Sequence, residues 1–435
     1  MIKVMCHGTF DLLHIGHIRH LEEAKKLGDH LIVSVTSDRH VNKGPKRPYF
    51  NELHRMETLK GLSFVDEVVL SDSDLAVDSI EKIKPNVFVK GIDYENGESK
   101  FNDDERRALE RVGAKLIFTK TEKHSSSEII NQFIWSDEQK ETIEKVKSLG
   151  GMTAITQALS EIKEFNISIL GEAIIDQYTF VDINGVSNKR PTLSTKLQYS
   201  KLYEGGSLAV RNHLKPFVKS IQYPDCNMQN TIIKTRYLHE DKHLFEVVEE
   251  VDNKKSLLPE IYGSNAVILC DFGHGLFDSE MVDWCAKIPY FIAINCQTNS
   301  SNYGFNLATK YKDFDFSYLS IDLKEARLAL HDQNPTGVYE KIKAMMNVPS
   351  LSITLGKGGA IVDGYHVPAF ADTVVDPMGA GDAYFALTSL LVNLELDPTL
   401  IGFMGNVFAG LKTKTLGNEP VGYDQFIKAL NYILK

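Results

Sequence analysis

The sequence predicts an α/β protein of two doubly wound domains, and two observations carry that prediction. Short apolar runs alternate with helical segments twice over, from residue 2 to about 133 and again from residue 166 onward. Between them lies a charged stretch of helical pattern, residues 135–165, broken at Gly150-Gly151. Alternation of strand and helix implies parallel strands, right-handed crossovers and ligand sites at the carboxyl ends of the strands. The expected division is a first domain at 1–134, a helical linker at 135–165 and a second domain at 166–435 carrying a small β-rich lid.

In the first domain, Ile2 to Cys6 reads as a buried strand and His17 to Leu27 as a helix, with Gly8-Thr9-Phe10-Asp11 and His14-Ile15-Gly16-His17 between them. The histidines therefore stand where a strand feeds a helix N-terminus, whose unpaired N–H groups and partial positive charge favour phosphate. Gly8 and Gly16 allow close approach of backbone to a ligand, and Thr9 offers a hydroxyl. The plain alternative is a helix start with surface histidines; a zinc site from His7, His14, His17 and His20 is the competing chemistry, without a cysteine or carboxylate cluster to complete it. His30 to Thr36 continues as a second strand, followed by the basic loop 42–48 and a helix from about Asn51 to Leu62 carrying Arg55. Strands at Val65 to Leu70, Asn86 to Lys90 and Ala114 to Thr119 alternate with helices at Ala76 to Lys84, Asp103 to Val112 and Ser125 to Phe133. Ser125-Ser126-Ser127 is an N-cap cluster that doubles as a second phosphate cradle.

The run Gly-Thr-Phe-Asp-x-x-His-x-Gly-His resembles the signature of the cytidylyltransferase-like nucleotidyltransferases. With Lys43-Gly44, Arg55, Lys90-Gly91-x-Asp93-Tyr94 and Ser125 to Ser127, residues 1–134 are similar to the adenylyltransferase half of the ADP-heptose synthase family, and more distantly to glycerol-3-phosphate cytidylyltransferase. The resemblance implies that His14 and His17 meet the reacting phosphate and that Lys43 and Arg55 hold the leaving pyrophosphate. Ser125, Ser126 and Ser127 would then close over the β and γ oxygens, with Gly8, Thr9, Phe10, Gly91 and Asp93 completing the nucleotide site. A sugar 1-phosphate is already an anionic nucleophile, so such a site needs alignment and charge stabilisation rather than a base.

In the second domain, Asn166 to Leu170 is a buried strand, Thr192 to Tyr203 alternates like a strand, and Gly205-Gly206 opens a helix. Strands at Thr231 to Leu238 and His243 to Val251 precede a return to α/β order: Ala266 to Cys270, Tyr290 to Asn295, Phe316 to Ser320 and Ser350 to Leu355. Asp376-Pro377-Met378-Gly379-Ala380-Gly381-Asp382 then leads into an apolar helix. Small residues at 379–381 permit a tight turn whose N–H groups converge as an anion hole, with Asp382 at its mouth. An aspartate there is either a helix cap or a base for an attacking hydroxyl. This run is similar to the Gly-Ala-Gly-Asp motif of the ribokinase-like (PfkB) sugar kinases. The resemblance implies Asp382 as base, Gly379, Ala380 and Gly381 on the phosphoryl group, and Asp176, Gly205 and Gly206 on the sugar. Glu325 would organise Mg²⁺, with Thr354, Gly356 and Gly358 on ATP. Leu355-Gly356-Lys357-Gly358-Gly359 has the residues of a hairpin turn as well. Ala209 stands where the family often has a sugar-binding asparagine, and Asp322 replaces the asparagine of Asn-x-x-Glu.

With 435 residues and a formal charge of −10, the chain has no basic block suited to nucleic acid. Five cysteines without Cys-x-x-Cys spacing suit a reducing compartment. No apolar run approaches a membrane span and no signal-peptide pattern precedes the first strand, so a cytoplasmic protein without membrane partners is expected. The expectation is a homo-oligomeric, bifunctional enzyme with Mg²⁺ as cofactor, acting on nucleoside triphosphate and sugar phosphate. It would be an ATP-using sugar-1-phosphate adenylyltransferase fused to a sugar-phosphate kinase. Its rival is a CTP-dependent cytidylyltransferase for a polyol or sugar phosphate whose second domain only binds sugar or dimerises.

Overall fold

A computed structural model of the chain describes all residues except 42–46, 74, 92–102, 120–134, 188–189, 229–230, 241, 250–257, 300–301, 335 and 372. The expected positions Lys43, Asp93, Ser125, Ser126 and Ser127, with the helix expected at Ser125 to Phe133, lie outside the described residues. The chain divides into two compact units, Met1–Ser136 with Lys435 and Asp137–Leu434. The helices Asp137–Ser148 and Gly151–Ile162, which the sequence marks as a linker, cluster with the second unit. Gln139 Nε2 donates to Ala369 O at 2.6 Å, one of the bonds that fix them there.

The first unit holds β1 (Lys3–Gly8), β2 (His30–Thr36), β3 (Glu67–Ser71), β4 (Val87–Lys90) and β5 (Lys115–Phe118) in one sheet of order β3-β2-β1-β4-β5. All its pairings are parallel. Strand order reverses beside β1, so the crevice beyond its carboxyl end is the binding position this topology creates. Val4, Met5 and Cys6 are fully buried because both sheet faces are covered by helices, which is why β1 reads as a continuous apolar run.

The second unit has a large sheet and a small one. The large sheet takes β6 (Asn166–Gly171), β9 (Ser220–Gln222), β12 (Ala266–Asp271), β13 (Phe291–Cys296), β14 (Tyr318–Asp322), β15 (Ser350–Thr354), β16 (Ala360–Val362) and β17 (Tyr365–Val367). It is parallel from β9 to β15 and antiparallel from β15 to β17. The small sheet is β11 (Lys242–Glu249), β10 (Ile232–His239), β7 (Ala173–Val186) and β8 (Leu193–Gly206), in that order. Glu172 is the joint between the sheets: its carboxylate accepts the N–H groups of Phe272 (2.8 Å), His274 (3.2 Å) and Leu276 (3.2 Å). The helix Ala380–Asn393 is apolar around almost its whole circumference and correspondingly buried. Its first turn, with Asp382, is thereby fixed at the carboxyl edge of the large sheet. No helix among the described residues is long and apolar enough to cross a membrane.

Candidate functional site

In the first unit, the loop after β1 is turned by two residues with left-handed backbone, Phe10 (φ 50°) and Leu12 (φ 44°), a conformation costly for bulky side chains and held here by its surroundings. Asp11, buried, does much of the holding: it accepts the N–H groups of Tyr49 (2.8 Å) and Phe50 (3.1 Å) and pairs with Arg47 Nε at 2.7 Å. His14 is the N-cap of the helix Ile15–Lys25, its Nδ1 accepting the Gly16 N–H at 3.1 Å. In the neutral ring the proton is thereby assigned to Nε2, which makes that atom a donor. The His17 ring stacks on His14 with centroids 3.9 Å apart, and Phe10 meets His17 edge-on at 5.5 Å. No acidic residue occupies the first turn of this helix, so its own side chains place no negative charge there. Gly8 ends β1 beside Phe10, Thr9 is buried, and Gly91 follows β4.

Arg55 departs from the role the resemblance implies. It is 2% exposed, and its guanidinium donates to Phe50 O (2.9 Å), Thr9 O (2.5 Å), Thr36 O (2.8 Å) and Asp38 Oδ1 (2.7 Å). Those acceptors tie the helix Glu52–Lys60 to the ends of both central strands, so Arg55 shapes the crevice from behind. The four histidines do not converge as a metal centre: His7 Nδ1 bonds Ser34 Oγ (3.1 Å) and His20 Nδ1 bonds Thr119 Oγ1 (2.8 Å). No cluster of three metal-ligating side chains occurs among the described residues.

In the second unit, a cavity of about 480 Å³ is lined by Asp176, Gly206, Glu325, Thr354, Gly379, Gly381 and Asp382 among others. These seven expected positions are 206 residues apart in sequence at their extremes and meet at one place. Gly379 adopts φ 75°, and a side chain there would collide with Asn418 Oδ1. At the helix start Ala380 N–H donates to Pro377 O, whereas the N–H groups of Gly381 and Asp382 have no acceptor among the described residues. Asp382 Oδ1 accepts Gln297 Nε2 at 2.7 Å; burial raises its carboxyl to about 6, against the lowering effect of that bond. Glu325 closes a capping box with Asp322 and accepts the Thr298 N–H at 3.1 Å. Burial first, and then Asp322, raise it to about 8. Both carboxyls are thus raised chiefly by burial, and both line the cavity that the Gly379–Gly381 turn borders.

Asp176 is tightly held, Oδ1 by Arg236 Nη1 and Oδ2 by Asn418 Nδ2 (2.9 Å). Gly205 is needed behind it, because a Cβ there would strike Asp176 Oδ2. Arg236, Lys234, Gln297 and Asn418 also line the site, and sequence reasoning missed all four. The first two were readable: positions 234 and 236 share one face of a strand, so two basic side chains fall on the same side of it. Lys234 makes no ion pair or hydrogen bond among the described residues, and burial lowers its ammonium below the ordinary value. Ala380, Gly356 and Gly358 do not line the cavity. Gly356–Gly358 is the turn between antiparallel β15 and β16, the hairpin alternative for the Gly-rich run.

Residues 5–132 match the cytidylyltransferase-like family model. The chain is 46% identical over 97 residues to the bifunctional protein HldE of Campylobacter curvus, covering 22% of this chain and 21% of that protein. It is 39% identical over 136 residues to the FAD synthase of Ferroglobus placidus, covering 31% of this chain and 89% of that protein. The chain thus spans about a fifth of the length of the HldE proteins it matches. Over 61% of its length it superposes on 99% of ribokinase from Thermotoga maritima, with 13% identity and a TM-score of 0.48.

Proposed function

The chain belongs, through its N-terminal unit, to the cytidylyltransferase-like family, and from that premise we propose a bifunctional enzyme of nucleotide-activated sugar synthesis. The first unit transfers the adenylyl group of ATP to a sugar 1-phosphate, and the second phosphorylates a sugar phosphate with ATP. The observation that carries the pairing is the convergence of Asp176, Glu325, Thr354, Gly379, Gly381 and Asp382 on one cavity, on a chain whose other unit presents stacked histidines at a helix N-terminus.

In the first reaction a phosphate oxygen of the acceptor attacks the α-phosphorus and pyrophosphate leaves. His14 Nε2 and His17 offer donors to the charge that gathers there, and Asp11 and Arg55 hold the loop that aims them. In the second, Asp382 takes the proton of the acceptor hydroxyl as its oxygen attacks the γ-phosphorus. The N–H groups of Gly381 and Asp382 meet the transferred phosphoryl group, and ADP leaves. Mg²⁺ accompanying the nucleotide supplies charge neutralisation, and Glu325, an oxygen donor of suitable hardness, would hold it. Lys234 and Arg236 favour an acceptor that already bears an anionic group.

A second reading of the first unit, adenylyl transfer to flavin mononucleotide, is favoured by the 89% coverage of an FAD synthase. Pyrophosphate release by the full chain, measured with ATP or CTP against heptose 1-phosphate, glycerol 3-phosphate and flavin mononucleotide, separates these readings. ATP with the sugar phosphate is the expected pair; preference for CTP or for the flavin overturns it.

A further inference from the structure

Lys412 ends the helix Pro398–Lys412 and is 1% exposed. An ammonium at that depth is costly unless well paired. Among the described residues, however, its one hydrogen bond is a 3.4 Å contact from Nζ to Asp376 O. Its Cε lies 3.4 Å from where a Cβ on Gly379 would stand, directly under the turn that begins the catalytic helix. Three carboxylates face the charge: Asp376, Asp382 and Asp176. All three have other partners, Asp382 through Gln297 Nε2 (2.7 Å). Asp376 accepts Met378 N–H (3.0 Å), Tyr178 O–H (3.0 Å) and Gly417 N–H (2.8 Å), and Asp176 is paired with Arg236. A lysine serving only the helix C-terminus could do so from the solvent side, where the last carbonyls are accessible.

We infer that Lys412 is a positioning residue of the phosphoryl-transfer site: its ammonium, held beside Gly379, supplies positive charge next to the anion hole and anchors the turn through Asp376 O. The inference rests on the kinase reading of this unit. Charge placed in advance where it develops in the transition state lowers the barrier without strengthening ground-state binding. Loss of the charge should therefore appear in kcat and in transition-state affinity, and hardly in ATP affinity.

The test uses the full chain with Lys412→Met, which keeps the length and removes the charge, and Lys412→Ala. Melting temperature, calorimetric affinity for Mg-ATP, and affinity for Mg-ADP with aluminium fluoride are measured for each. For Lys412→Met the inference expects an unchanged or higher melting temperature, since an apolar residue replaces a buried charge. It expects ATP affinity within about threefold and aluminium fluoride complex affinity reduced at least about tenfold, on the scale of losing one stabilising contact. In Lys412→Ala, ammonium chloride should restore part of that affinity where sodium chloride does not. Equal affinities for the aluminium fluoride complex in wild type and Lys412→Met overturn the inference. So does a lower melting temperature with both affinities falling together and no ammonium rescue, which marks a purely structural lysine. A wild-type chain that binds no Mg-ATP at this site removes the kinase reading itself, a different failure from a wild type that binds ATP and a variant that matches it throughout.

Discussion

Replacing Arg55 by methionine should unfold the first unit well before it disturbs any ligand directly. The substitution removes four hydrogen bonds and leaves the carbonyls of Thr9 and Thr36 without their donor. Hydrogen bonds involving a charged group are worth about 1.5–3 kcal/mol each. The Asp38 share is discounted to about 1 kcal/mol because that carboxylate is 38% exposed. Relief of the guanidinium's own desolvation offsets part of the total, so a net loss of about 3–5 kcal/mol is expected. For a unit of this size about 1 kcal/mol moves the midpoint by roughly 2–5 °C, giving a fall of roughly 6–25 °C. Scanning calorimetry of the full chain, which contains two separable units, reads the shift in one transition while the other stays in place. If the variant melts like wild type and instead loses nucleotide affinity, Arg55 acts as a phosphate ligand, as the family resemblance implies, and not as the tie between these elements.

Three further outcomes follow from the same geometry. His17→Ala should lower pyrophosphate release about 10²–10³-fold with unchanged circular dichroism, and turnover near wild type would take the stacked histidines out of the mechanism. Because burial raises Asp382 to about 6 from an ordinary 3.8, kcat/KM of the kinase reaction should fall tenfold per pH unit below about 6. By the same sign the ionised carboxyl destabilises the fold as pH rises through 6, so Asp382→Asn should melt higher at pH 8 while losing transfer; a variant less stable at pH 8 contradicts this. Gly205→Ala forces a methyl against Asp176, which Arg236 and Asn418 prevent from retreating; the acceptor KM should rise more than about tenfold while pyrophosphate release is unaffected, and an unchanged KM would separate Asp176 from the acceptor.

What the sequence made legible was what short-range chemistry decides. The strands of the first unit are continuous apolar runs between turns, so β2 falls at the expected bounds and the others within a residue or two. The Gly379–Asp382 turn was readable because left-handed backbone at a helix start calls for glycine. β7, fourteen residues long, went unread: its polar and apolar residues mix because it passes from the core joint at Glu172 into a lid that is partly solvated on both faces. The burial of Arg55 and Lys412 was equally hidden. A charge on a helix reads as surface, and what pulls each inward is a set of backbone carbonyls and carboxylates from distant elements. The Gly-rich run 355–359 satisfied two readings at once, and the antiparallel pairing of β15 with β16 shows the hairpin turn.

The most direct test of two transfers on one chain is phosphorus NMR of the full protein with Mg-ATP, supplied in turn with a heptose 1-phosphate and a heptose 7-phosphate. The account predicts pyrophosphate and a nucleoside-diphosphate sugar from the first, lost in His17→Ala and kept in Asp382→Asn, and ADP with a bisphosphorylated sugar from the second, with the opposite dependence. Formation of neither product pair, or a single variant that abolishes both, would contradict it.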